Sequence, residues 1–167
     1  MKEVIAMHGW SGDRSTWRDW QEYFIKNGWE WQNGERGYGD SQSFIPSWKS
    51  TPVSRKSGKL RVVIAHSLGP HLLPEKVFVE ATDVVFLCSF SQFITDDKEA
   101  KVLRTALRGM EEQLGTKNES KMLEYFLQKA SYPYTSKEIA TGSIRKGVSP
   151  EGRKKLREDL RLLAEVD

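Results

Sequence analysis

The fold is decided by the stretch Arg61-Val62-Val63-Ile64-Ala65-His66-Ser67-Leu68-Gly69. Residues 62–65 are apolar without alternation, which is typical of a strand buried on both faces in a parallel sheet. The residues after them predict a sharp turn, and the segment from Leu68 to Leu73 favours a short helix that Pro74 would stop. Ser67 therefore stands where a buried strand turns into a helix.

A serine at such a turn is typical of the nucleophile elbow of serine hydrolases. The turn lifts the hydroxyl out of the sheet and leaves the N–H of Leu68 free to point at an oxyanion. Ala65 occupies the place where the usual pattern has glycine, and a small residue can serve there. Because a Ser-x-Gly after a strand is often only a turn, this motif needs support from other stretches.

Two other stretches supply that support. A second apolar strand ends in His-Gly and reads Val4-Ile5-Ala6-Met7-His8-Gly9-Trp10, and a glycine-rich loop reads Arg36-Gly37-Tyr38-Gly39-Asp40-Ser41. The three motifs, in this order and spacing, resemble the α/β-hydrolase family. The resemblance implies an α/β fold: a partial α/β-hydrolase core, with a mostly parallel sheet and flanking helices, followed by an all-helical lid.

The pattern along the chain places the core at residues 1–91 and the helical lid at residues 92–167. In the core we predict a helix capped by Ser15 or Thr16 and ending near Lys26, an extended connector over 76–79, and a buried strand over 84–90. The apolar stripe of the first helix is Trp17, Trp20, Phe24 and Ile25. In the lid we predict helices over about 98–114, 119–129, 136–145 and 150–165, the first of them capped by Asp96 or Asp97.

The resemblance also implies roles for individual residues. Ser67 corresponds to the nucleophile, and the backbone N–H groups of Leu68 and Trp10 correspond to the oxyanion hole. The Trp10 indole and the loop carrying Tyr38 would shape the substrate pocket. The family order is serine, acid, histidine, yet no histidine follows residue 71.

His8, His66 and His71 do not match the position of the family's catalytic base. We therefore expect the chain to lack the part that carries the catalytic acid and histidine, as a partial reading frame, a truncated protein or a degenerate relative. A core of this kind would leave one sheet edge exposed, which favours dimerisation or strand exchange.

His-Gly-Trp with a short helical lid resembles the carboxylesterases that demethylate pimeloyl-acyl-carrier-protein methyl ester in biotin synthesis. This implies a serine carboxylic-ester hydrolase acting on a small or carrier-tethered ester. Other hydrolase chemistry (lipase, carbon–carbon hydrolase or perhydrolase) and a non-catalytic binding module stay open. Basic lid residues would contact the acidic carrier protein, although a solvated helix face explains them equally well. They are Arg145, Lys146, Arg153, Lys154 and Lys155.

Composition and charge limit the classes of partner, location and cofactor that the protein could have. The 167 residues carry a net charge of +3, which is too small to argue for a nucleic-acid partner. No apolar run predicts a membrane span and no leader is recognisable. The single Cys88 fits a reducing cytoplasm. Three histidines and one cysteine at unrelated spacings suggest no metal, and no cofactor is indicated, since the 36–41 loop lacks the Gly-Lys-Ser/Thr of a phosphate cradle.

Overall fold

A computed structural model describes residues 1–49, 59–95, 98–133 and 147–166. Its strands are β1 (Lys2–Met7), β2 (Glu30–Asn33), β3 (Leu60–His66) and β4 (Asp83–Leu87). Its α-helices are α1 (Arg18–Lys26), α2 (Glu75–Val79), α3 (Ala100–Gln113), α4 (Glu119–Ala130) and α5 (Pro150–Glu165). Two 3-10 helices, Arg14–Trp17 and Gly69–Leu72, precede α1 and α2. An α/β fold followed by a helical segment is thereby confirmed.

All four described strands are parallel and follow the order β2-β1-β3-β4. The side chains of the two central strands alternate between two apolar clusters, as strands covered on both faces require. One cluster contains Ile5, Met7, Val63, Ala65, Leu73 and Val77. The other contains Val4, Ala6, Ile64 and Trp17. The continuous apolar runs of β1 and β3 therefore mark strands that are covered on both faces, as predicted.

The chain forms two compact units. The first contains Met1–Gly9, Asp13–Arg36 and Gln42–Ser89. The second contains Phe90–Asp167 together with the short segments Trp10–Gly12 and Gly37–Ser41. The predicted domains, 1–91 and 92–167, stay a prediction.

The first helix begins differently from its prediction. The Asp13 carboxylate, rather than Ser15 or Thr16, caps the 3-10 helix that precedes α1, and it accepts hydrogen bonds from the Ser15 N–H at 2.8 Å and the Ser15 hydroxyl at 2.6 Å. This 3-10 helix of four residues, Arg14–Trp17, rotates the apolar stripe relative to an α-helix. Trp17 is buried, but Trp20 and Ile25 are 43% and 51% exposed, so the predicted stripe is only partly correct.

The predicted extended connector over 76–79 is wrong, because these residues belong to α2. Pro74 is extended and ends the preceding 3-10 helix, and Glu75 then lies in the first turn of α2, where a carboxylate is favourable. The β-branched residues suggested extension. Val77 packs instead into the core at 3% exposure, so tertiary packing outweighs local propensity here.

Strand β4 is shorter and more exposed than predicted. Within the described ranges it pairs only with β3, and it forms one edge of the sheet. Val84, Val85 and Phe86 are 40%, 38% and 57% exposed. The apolar run was therefore not a sign of burial on both faces. Self-association through this edge stays a prediction.

The helical segment follows its predicted pattern where the structure describes it. Helix α5 begins as expected, with Pro150 in its first turn and the Ser149 hydroxyl accepting a hydrogen bond from the Gly152 N–H at 2.9 Å. The predicted helix over 136–145 and the caps Asp96 and Asp97 lie outside the described residues. No helix among the described residues has the length and apolar character needed to cross a membrane.

Candidate functional site

Ser67 has the backbone conformation of a strained turn. It follows directly after β3 with φ of +54°, in the left-handed region that non-glycine residues rarely adopt. Its N–H donates to the Leu87 carbonyl of β4 at 2.9 Å, which fixes the turn to the neighbouring strand. Such strain persists only where the surroundings impose it, and it is concentrated at functional sites. The side chain is half-buried, and its hydroxyl makes no hydrogen bond within the described residues.

The His-Gly motif after β1 lies against the serine turn after β3. A Cβ on Gly9 would lie 2.8 Å from the Cβ of Ser67 and 3.1 Å from the His66 carbonyl oxygen. A Cβ on Gly69 would lie 2.6 Å from the Met7 carbonyl oxygen. Both glycines are therefore required by close backbone approach, and the His-Gly dipeptide lies against the serine turn.

The backbone N–H of Leu68 is one of the two predicted oxyanion donors. The residue is fully buried, and its N–H has no hydrogen-bond acceptor in the described part of the chain. The start of the 3-10 helix accounts for an unpaired N–H, yet burial of such a group without a partner is rare. The Trp10 N–H, in a residue that is 6% exposed, has no acceptor among the described residues either.

His8 connects the His-Gly motif to the glycine-rich loop through hydrogen bonds of its imidazole ring. Its Nε2 accepts the Arg36 N–H at 3.1 Å, so Nδ1 carries the proton and donates to the Gly9 carbonyl at 2.8 Å. The Glu35 carboxylate lies 3.5 Å from Nε2 and accepts the Arg14 N–H at 3.0 Å. Both ring nitrogens of His8 thus hydrogen-bond to backbone groups, those of Gly9 and Arg36. This buried arrangement favours a structural role for His8 over that of a base.

The surroundings of His66 shift its proton affinity. Burial lowers the pKa of its imidazole below the ordinary 6.5, and a positive charge on the neighbouring His8 would lower it further. The folded protein therefore binds this proton less tightly than the unfolded chain. The stability contributed by neutral His66 is complete above about pH 6.5 and is lost as the pH falls below that value.

Replacing His66 should flatten the pH dependence of stability. We expect the unfolding free energy of His66→Gln to fall less than that of the wild type between pH 7 and pH 5, because the variant has no imidazole to protonate. Urea unfolding at a series of pH values measures this difference. Parallel curves for the two proteins would contradict the expectation.

The side chains of Trp10 and Tyr38 are engaged within the second unit. The Trp10 indole N–H donates to the Leu156 carbonyl at 3.0 Å, and the Tyr38 hydroxyl donates to the Asp159 carboxylate at 2.6 Å. Tyr38 is fully buried. Their predicted roles in a substrate pocket stay predictions.

The predicted carrier-protein contacts are only partly described. Arg145 and Lys146 lie outside the described residues. Arg153 makes a bidentate ion pair with Glu119, at 2.6 and 2.9 Å, and the hydrogen bond from Arg153 lowers the pKa of that carboxyl. Lys154 is exposed and Lys155 half-buried. Pairing with Glu119 reduces the charge that Arg153 offers to an acidic partner.

The sequence patterns missed two residues that follow strands of the sheet, Glu35 after β2 and Cys88 after β4. Glu35 is buried beside His8 although 27 residues separate them in the chain. Cys88 was placed within an apolar run, but it is exposed with φ of +50° and follows β4 as Ser67 follows β3. His66 pairs with Leu87 in the parallel β3–β4 ladder. The residues that follow these two, Ser67 and Cys88, are therefore neighbours at the ends of the two strands. The sequence signal that could have located Cys88 in a turn was the end of the strand pattern at Leu87.

No family model matches this chain, and no curated protein matches it either. Within the described ranges, no group of three His, Cys, Asp or Glu side chains is arranged to hold a metal ion. The serine turn, with the buried backbone N–H of Leu68, is the feature on which a functional proposal rests.

Proposed function

We propose that the protein is a serine carboxylic-ester hydrolase of the α/β-hydrolase type. The observation that carries the proposal is the backbone of Ser67, which is left-handed directly after a central parallel strand. Ligands of open parallel sheets bind at the carboxyl ends of strands. The packing of Gly9 against Ser67 brings the His-Gly motif to that same end.

The proposed chemistry is acyl transfer through Ser67. Its Oγ would attack the ester carbonyl carbon, while a base takes the hydroxyl proton and returns it to the departing alcohol. Water would then hydrolyse the acyl-enzyme and release the acid. The N–H groups of Leu68 and Trp10, both buried without acceptors among the described residues, are the proposed donors to the oxyanion.

The base is the open part of this proposal. None of the three histidines hydrogen-bonds the Ser67 hydroxyl in the described structure, and His8 is engaged with the backbone. The resemblance implies a histidine as the base and an acid that orients it. The lack of such a hydrogen bond among the described residues favours the second candidate, a binding module that keeps the turn without catalysis.

For the substrate we propose an ester that is small or tethered to an acyl carrier protein, with pimeloyl-acyl-carrier-protein methyl ester as the specific candidate. The exposed Lys154 and half-buried Lys155 on α5 support an acidic carrier. A cytoplasmic location is part of the same proposal. Lipase, carbon–carbon hydrolase and perhydrolase chemistry use the same serine, and a substrate panel would separate them.

Fluorophosphonate labelling tests the proposal directly, since such probes react with an activated serine. We expect labelling of the 167-residue protein that falls by at least about 100-fold in Ser67→Ala. Ser120→Ala, which removes an exposed hydroxyl in α4, is the matched control and should label like the wild type.

Two outcomes count against catalysis. Equal labelling of wild type and Ser67→Ala would assign the reaction to another residue. No labelling of a wild-type protein that is folded by circular dichroism would reject catalysis by this chain and favour the binding module.

A further inference from the structure

One face of α5 holds the two loops that carry Trp10 and Tyr38. Gly152, Leu156 and Asp159 are spaced by four and three residues, so they lie on the same side of the helix. All three are buried, with Leu156 at 0% and Asp159 at 1% exposure. The segments 10–12 and 37–41 belong to the same compact unit as this helix.

The Trp10 side chain is fixed by two directional contacts. Its indole N–H donates to the backbone carbonyl of Leu156 at 3.0 Å, using a second lone pair of an oxygen inside the helix. Its ring meets Phe126 of α4 edge to face, with centroids 4.8 Å apart at 87°. The orientation of the indole therefore depends on where α5 lies.

The loop around Tyr38 is fixed to the same helix at three points. The Tyr38 hydroxyl donates to Asp159 Oδ2 at 2.6 Å, a short bond of the kind that charge assists. The Tyr38 carbonyl accepts the Ser149 N–H at 3.2 Å. The first turn of α5 also lies directly on the Tyr38 peptide, because Gly152 has no side chain there.

We propose that α5 positions the Trp10 N–H, and that Tyr38 and Asp159 act as positioning residues for this N–H, to which the resemblance gives the role of oxyanion donor. The Tyr38–Asp159 bond fixes the helix, and the Leu156 carbonyl one turn earlier transmits that position to the Trp10 indole and so to its backbone. This inference rests on the proposed function, since the Trp10 N–H serves as a donor only if Ser67 reacts with a carbonyl.

The matched pair Tyr38→Phe and Tyr125→Phe tests it. Each variant removes one hydroxyl, but Tyr125 is 62% exposed on α4. We expect Tyr38→Phe to lower the maximal rate of fluorophosphonate labelling by about tenfold or more, approaching the roughly 100-fold effect of deleting an oxyanion donor. The half-saturating probe concentration should stay unchanged. Tyr125→Phe should alter neither quantity.

A second readout does not depend on activity. In ¹⁵N-labelled protein, Tyr38→Phe should shift the Trp10 backbone amide resonance and speed hydrogen exchange of its indole N–H, while Tyr125→Phe should not. Loss of one indole signal in Trp10→Phe assigns that resonance, and Trp20→Phe, at a 43% exposed tryptophan, is its control.

The outcomes separate the two proposals. If Ser67 is not labelled in the wild type but the Trp10 resonances respond to Tyr38→Phe, the proposed function fails while the positioning of the N–H stands. Unchanged Trp10 resonances would overturn the positioning proposal, whether or not Ser67 reacts. So would a labelling rate that falls only in proportion to the folded fraction.

Discussion

Gly152→Ala is expected to destabilise the protein by about 3 kcal/mol or more, the upper end for forcing atoms into a packed interior. A Cβ at this position would overlap the Tyr38 carbonyl group and lie 2.7 Å from its Cα. Because the obstacle is backbone, no rotamer change relieves the overlap, and α5 must move away from the loop. Urea unfolding followed by circular dichroism measures the loss.

Gly109→Ala is the matched control. This glycine also lies within a helix, α3, but a Cβ there meets nothing within 4 Å. The alanine should therefore stabilise the protein by about 0.5–1 kcal/mol through the better helix propensity of alanine. Similar effects of the two substitutions would contradict the close approach of α5 to Tyr38.

Arg61→Met is expected to lower the unfolding free energy by about 3–5 kcal/mol, as the loss of one partner from a buried ion pair does. The guanidinium is fully buried in the first unit. Its Nη1 lies 2.9 Å from Glu80, its Nε lies 3.5 Å from Glu3, and it stacks over the Trp48 ring at 5.3 Å. Methionine keeps the apolar volume but removes the charge that stabilises the buried Glu3 carboxylate.

The control for Arg61 is Arg18→Met, at an exposed arginine in the first turn of α1. We expect a change within about 0.5 kcal/mol there. The double variant Glu3→Gln/Arg61→Met should cost less than the sum of the single variants, because it does not leave the buried Glu3 carboxylate charged without its arginine. Full additivity in chemical denaturation would show that the two side chains are not energetically coupled.

The parts of the fold that follow from sequence are those set by local patterns. Residues 62–65 and 4–7 form central strands because a parallel strand covered on both faces needs an uninterrupted apolar run. Helix α5 begins at Pro150 because Ser149 and Pro150 suit the cap and first turn. The placement of Ser67 after β3 likewise follows from one short stretch.

Other features depend on contacts that no local pattern contains. An apolar run such as that of β4 looks the same at an edge as at the centre of a sheet, so the exposure of Phe86 was not predictable. The engagement of His8 with Glu35 and Arg36 depends on how β1 and the residues after β2 meet. The contact of α5 with Tyr38 depends on packing between residues far apart in sequence.

The contact of α5 with the Trp10 and Tyr38 loops has a consequence for the order of folding. The hydrogen bonds from Trp10 to Leu156 and from Tyr38 to Asp159 span 146 and 121 residues. Closing segments of this length is entropically unfavourable and late in folding, whereas the β1–β2 pairing joins strands close in sequence. During synthesis, both loops leave the ribosome long before the helix that holds them. We therefore expect the local geometry of the Trp10 and Tyr38 loops to be among the last features to become fixed.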